Sequence, residues 1–208
     1  MKPASSDLPP VAASLLLAAL LWGFTFYLNW GVFWFKIAVS ALTLAGLSLL
    51  LLPAGGLRLR LNLKTICLGL FSAGVLYLIF RAGKALSTAI FPFAGDQIGA
   101  VYEKGCQSPI WVIGLFLFFV TSPCEEIYWR GYLQKKLMEH LGGLWGWILA
   151  TLCYALVHLW SGNFMLICAA AVAGAFWGLM YWRLGDLSPV IASHCIWSTI
   201  IFAVLPIP

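Results

Sequence analysis

The sequence predicts an all-α fold, a polytopic transmembrane bundle of about seven helical spans within a range of six to eight. Two observations predict it. Hydrophobic residues make up 62% of the 208 residues and charged residues only 9%, against roughly a quarter charged in a soluble domain. The apolar residues also fall in runs close to the ~20 needed to cross a hydrocarbon core. Lipid must therefore be the solvent for most of the chain. Each run is expected to be a helix, because backbone groups in lipid have to be satisfied within their own segment.

Taken in order, the expected spans are 10–28, 31–52, 65–80, 109–138, 143–160, 164–182 and 189–205. The first begins with the apolar run Val11 to Leu28. That run is long for a signal-peptide core and no small-x-small cleavage site ends it, so it reads as a retained span. Pro53, Gly55 and Gly56 stop the second span, and Arg58, Arg60 and Lys64 make a basic loop. Residues 81–108 mix Arg81, Lys84, Pro92, Gly95, Asp96, Glu103 and Lys104 with apolar residues, which suggests an interfacial helix plus a loop. In the sixth span Ala170, Gly174 and Gly178 recur every four residues and form a smooth face for close helix packing. The eleven Trp lie mostly near span ends, as interfacial anchors do.

The net charge of +5 does not point to nucleic acid, because the basic residues are scattered at the ends of apolar runs. They serve instead as topology signals. With the N-terminus inside, the inner loops hold Lys2, Arg58, Arg60, Lys64, Lys135, Lys136 and Arg183, and the outer ones hold Lys36, Arg81, Lys84 and Lys104. This excess favours a cytoplasmic N-terminus. The six cysteines, Cys67, Cys106, Cys124, Cys153, Cys168 and Cys195, show no CxxC pair and no metal-binding spacing.

Charge within the apolar runs is the informative anomaly, since an ionisable residue at bilayer depth costs a few kcal/mol or more and usually faces a wet cavity. Glu125-Glu126-Ile127-Tyr128-Trp129-Arg130 follows an uncharged stretch from Ile110 to Pro123. Glu126 and Arg130 are spaced to share a helix face and pair. Glu125 points about 100° away, without that partner, and is the candidate general base. His158 has Tyr154 one turn before it, and His194 has Ser198 one turn after it. The third histidine, His140, falls in a polar inner loop and looks ordinary.

Depth supports a meeting of the first two groups. Glu126 is roughly 18 Å from the inner end of its helix, and His158 roughly 22 Å above the inner start of the next. His194 lies only roughly 9 Å into its span, so the Gly185–Pro189 turn would have to sit inside the bilayer to bring it level. Blander readings exist for each group alone: an intramembrane His as a helix contact, a Glu–Arg pair as a buried ion pair, or Glu and His in an ion pathway. A zinc site held by Glu125, His158 and His194 is a rival chemistry, although no HExxH is present.

Glu125-Glu126-x-x-x-Arg130, Tyr154-x-x-x-His158 and His194-x-x-x-Ser198, in that order, resemble the EExxxR, FxxxH and HxxxN motifs of the CAAX-protease and bacteriocin-processing family, which is related to the Ras-converting CAAX endopeptidases. The resemblance covers about residues 109–205, with Tyr154 in place of Phe and Ser198 where Asn is common. It implies two regions: N-terminal helices and an interfacial segment over 1–108, and a catalytic core over 109–208. It further implies an intramembrane glutamic endopeptidase without a cofactor. Glu125 and His158 would activate a water, His194 and Ser198 would stabilise the oxyanion, Glu126 and Arg130 would hold the site together, and Tyr154 would support it. The expected partners are the lipid bilayer and a membrane-anchored protein or peptide precursor, with no nucleic acid. The expected location is a prokaryotic inner membrane. A non-catalytic scaffold or immunity protein of the same fold is the alternative.

Overall fold

A computed structural model describes residues 8–207, with the backbone alone described at Gly105 and Cys106; Lys2 and the Cys106 side chain, used above, therefore lie outside the described part. The described residues are helical almost throughout. The helices are α1 (Leu8–Phe26), α2 (Phe33–Leu51), α3 (Leu63–Ile90), α4 (Ala94–Glu103), α5 (Ile110–Leu141), α6 (Gly143–Ser161), α7 (Phe164–Leu184) and α8 (Ser188–Val204). All except α4 and α8 are long and apolar enough to cross a membrane, and α8 is a shorter apolar helix. The protein is an integral membrane helical bundle, and its many exposed Leu, Phe and Trp side chains form the lipid-facing surface.

Helix ends follow local chemistry. Asn62 and Thr65 form a reciprocal capping box at the start of α3. Asn163 caps α7 by accepting from the Leu166 amide at 2.9 Å. Gly162 and Gly185 take φ of +62° and +60° at the turns on either side of α7, a conformation that costs glycine little.

The third span differs from its expected bounds. Rather than ending near residue 80, α3 runs unbroken to Ile90 and carries Arg81 and Lys84 on its surface. The first strong breaker is Pro92, and the residue before a proline leaves the helical region, as Phe91 does at φ −114°, ψ 114°. The separate helix of this stretch is α4. Its Gln97 ties it to the start of α7: the backbone oxygen accepts from Asn163 and the side-chain oxygen from the Met165 amide. Lys36, counted above with the outer loops, is buried in the first turns of α2. Its ammonium donates to Leu28 O at 2.6 Å, satisfying a carbonyl left free just beyond α1.

Helix pairs are set by small residues. A methyl group on Gly69 of α3 would lie 2.5 Å from Ala192 Cβ of α8, so these helices meet at backbone distance. The turn before α8 is buried against the loop from Pro53 to Asn62. Leu187 N donates to Arg58 O, and Arg60 N donates to Ser188 Oγ at 2.6 Å. Leu57 and Leu187 both reach Gly131 of α5. Gly131 lies about 15 Å along α5 from its C-terminal end. Leu187, at the start of α8, is buried against α5 at this level, whereas Gly185 and Arg58 to Arg60 remain exposed. The 2.7 Å contact between His194 Nδ1 and Glu126 Oε1 shows that these two residues lie level.

Candidate functional site

The site begins with a distortion of α5. Pro123 lacks an amide hydrogen and its ring crowds the preceding turn. The helix widens to π geometry at Leu117–Thr121 before it and at Ile127–Gln134 after it, a form found mostly as local bulges at functional positions. The short α segment between them, Ser122–Glu126, carries both glutamates. They point to different neighbours, as their helical offset requires.

Glu126 faces α8 and is fully buried. Its Oε1 accepts from Arg130 Nη1 at 2.7 Å and from His194 Nδ1 at 2.7 Å. Arg130 is also buried, and its remaining donors are directed: Nη2 donates to Gly174 O at 3.3 Å, and the guanidinium lies 4.8 Å from the Tyr154 ring and 5.6 Å from that of Trp177. A buried charge persists only when paired and hydrogen-bonded in this way. His194 is sandwiched as well as bonded, with its ring stacked on Trp177 at 3.8 Å between centroids. Trp177 is itself held by an indole bond to Ser193 Oγ.

Glu125 faces α6. Its Oε2 accepts from the Tyr154 hydroxyl at 3.0 Å. One turn later His158 Nδ1 sits 2.8 Å from Tyr154 O. A carbonyl only accepts, so Nδ1 carries the hydrogen and Nε2 holds the lone pair of a neutral ring. The Trp22 indole N–H, 3.4 Å from Nε2, fits the same tautomer.

Glu125, Tyr154, His158, His194 and Ser198 all line one cavity of about 560 Å³, whose walls are otherwise mostly apolar. The structure thus brings together Glu125, His158, His194 and Ser198 around a common space, with Glu126 and Arg130 behind it. His140 remains apart, near the C-terminal end of α5.

Two contributors escaped the sequence reading. Trp22 of α1 is fully buried, bonds His158 and packs edge-on against Trp129 at 5.6 Å. Nothing marked it among eleven tryptophans. Gln134, at the end of the second π segment, donates to Gly178 O at 2.8 Å. Arg130 and Gln134, one turn apart on α5, therefore grip Gly174 and Gly178, one turn apart on α7. The glycine face read above as plain packing also supplies carbonyls to the polar groups of α5. Its four-residue spacing matched that of Arg130 and Gln134, and this was the available signal.

The zinc alternative fits poorly. Among the described residues no three His, Cys, Asp or Glu side chains come together as a metal-ligand group.

No curated protein and no solved structure matches the chain. Residues 107–200 do match a family model, described as Type II CAAX prenyl endopeptidase Rce1-like. That segment, which carries both glutamates, Arg130, both cavity histidines and Ser198, is similar to the CAAX-protease family.

Proposed function

We propose that the protein is an intramembrane glutamic endopeptidase that hydrolyses a peptide bond in a membrane-associated protein or peptide precursor. The observation that carries this reading is the shared cavity: Glu125, His158, His194 and Ser198, drawn from three helices, open onto one partly open space. Similarity to that family over residues 107–200 supports a membrane protease and implies the roles given to these residues; the geometry described above is compatible with them.

In this reading a water lies between Glu125 and His158. Glu125 takes its proton, and the Nε2 lone pair of His158, giving up its long 3.4 Å contact with the Trp22 indole N–H, accepts the other hydrogen and aims the oxygen. A positioned general base contributes about 10² to 10⁴ in rate. Tyr154, bonded to Glu125 by its hydroxyl and to His158 by its carbonyl, keeps the two in register. His194 is fixed through Nδ1 by Glu126, so in its protonated form Nε2–H is the donor for the oxyanion. One such donor is worth about 10² to 10³ in rate. No step requires a metal.

The apolar cavity walls favour a substrate whose residues near the cleaved bond are apolar. The basic residues of the Arg58–Lys64 loop and of the ends of α5 and α7 gather at one end of the bundle, where Lys135 Nζ donates to Gly56 O. This asymmetry supports a cytoplasmic placement of that end, and with it of the N-terminus, in a prokaryotic inner membrane.

Quantitative mapping of protein termini in membranes of cells making the wild type or Glu125→Gln tests the reading. Wild-type membranes are expected to contain new termini in membrane-associated proteins that the variant lacks. Identical sets of termini in the two would overturn it.

A further inference from the structure

Thr121 lies one helical turn before Glu125 on α5. It is buried, its hydroxyl has no hydrogen-bond partner, and it lines the same cavity. That is unusual for a threonine inside a helix, where the hydroxyl normally bonds back to a carbonyl one turn earlier. In this protein Thr25, Thr43, Thr88 and Thr199 all do so, at 2.8, 2.8, 2.9 and 2.8 Å. Thr151 also lacks a partner, but it does not line the cavity.

The exception falls at a change of backbone register. Thr121 ends the first π segment, and the corresponding acceptor, Leu117 O, receives the amide of Ser122 in the wider π register. The distortion that makes room for Pro123 thus leaves one hydroxyl free beside the general base.

Its opposite number follows from the register of α5 against α8. Gly114 of α5 packs on Thr199 and Ala203, while Glu126 bonds His194. The two helices run antiparallel between these crossings, so Thr121 comes level with the turn that carries Ser198. Ser198 is also buried, lines the cavity and makes no hydrogen bond through its hydroxyl among the described residues. Two hydroxyls without hydrogen-bond partners, on facing helices, therefore lie at a similar level of the bundle. An unsatisfied buried hydroxyl is costly, so such a pair calls for a ligand oxygen.

We propose that Thr121 is a further catalytic residue, which donates a hydrogen bond to the oxyanion together with Ser198 and His194; this rests on the endopeptidase reading above. When water attacks the carbonyl carbon and its proton passes to Glu125, the carbon–oxygen π pair moves onto the carbonyl oxygen. A hydroxyl supplies a single donor. His194 and Ser198 each offer one bond to that charge, and Thr121 supplies a third from the other wall.

The test uses full-length protein in nanodiscs and a quenched-fluorescence peptide spanning a cleavage site mapped in membranes. Thr121→Val keeps the shape and removes the hydroxyl; Thr121→Ser keeps the hydroxyl. Thr121→Val is expected to lower kcat about 10²-fold with KM within twofold, and Thr121→Ser to retain at least a third of kcat. A phosphinate analogue of the peptide, which mimics the tetrahedral state, should bind Thr121→Val more weakly by a similar factor. A Thr121→Val enzyme with wild-type kcat and phosphinate affinity, beside an inactive Glu125→Gln, would overturn the role of Thr121 and leave the protease reading standing. Equal cleavage by Glu125→Gln and wild type would overturn both.

Discussion

The Tyr154 hydroxyl donates to Glu125 Oε2 at 3.0 Å, across the gap between α6 and α5. One side chain thus links the carboxylate on one helix to the backbone that holds His158 on the other. The arrangement assigns Tyr154 to positioning and leaves the proton transfer to its neighbours.

Tyr154→Phe removes only that bond. A hydrogen bond to a charged group contributes about 1.5–3 kcal/mol, so kcat is expected to fall roughly 10- to 100-fold in steady-state peptide cleavage with KM unchanged. Thermal unfolding in detergent should move little, because the ring still packs on Trp129 at 5.1 Å. A rise in KM with kcat intact would mean that Tyr154 contacts substrate instead.

Arg130→Ala leaves the carboxylate of Glu126 fully buried with only His194 as partner. Breaking one side of a buried ion pair costs about 3–5 kcal/mol. Equilibrium unfolding should show a loss of that size, and activity should fall with it as His194 loses its anchor. Unfolding unchanged from wild type would show that the pair does not hold the bundle together.

Gly174→Ala and Gly178→Ala probe the approach of α7 to the site. A methyl at Gly178 would sit 2.8 Å from Trp147 and 2.9 Å from Gln134 Oε1, and one at Gly174 3.0 Å from the Tyr154 ring. Overpacking of this kind costs about 1–3 kcal/mol. Unfolding should reveal the loss in both variants. Only Gly174→Ala should also depress kcat beyond the fraction unfolded, because it pushes the residue that bonds Glu125.

The membrane bundle, the order of its spans and the convergence of Glu125, His158 and His194 were legible in the sequence because charge at bilayer depth is rare and its spacing is helical. The extent of α3 was less so, since Arg81 and Lys84 resemble a span boundary when they in fact ride on a continuous helix as far as Ile90. The level of α8 against α5 was not readable, because it depends on Leu57 and Leu187 meeting at Gly131. Nor was the π geometry that frees the Thr121 hydroxyl: it arises from the fit of Pro123 into α5 and leaves no periodic mark.

Trp22 carries the same lesson for α1, which lies outside the family-matched segment. Trp22→Ala removes a fully buried indole packed on Trp129 and His158. A loss of about 3–5 kcal/mol is expected in unfolding experiments. Wild-type stability would place α1 outside the energetic core of the site.

The central claim is that Glu125 and His158 act on one water. Single-turnover cleavage of the mapped peptide by Glu125→Gln, His158→Ala and the double variant tests it most directly. Groups that work as a unit are strongly non-additive, so each single variant should lose nearly all of the chemical step and the double variant should be no slower than the worse single. Wild-type rates in either single variant, or losses that multiply in the double, would contradict it.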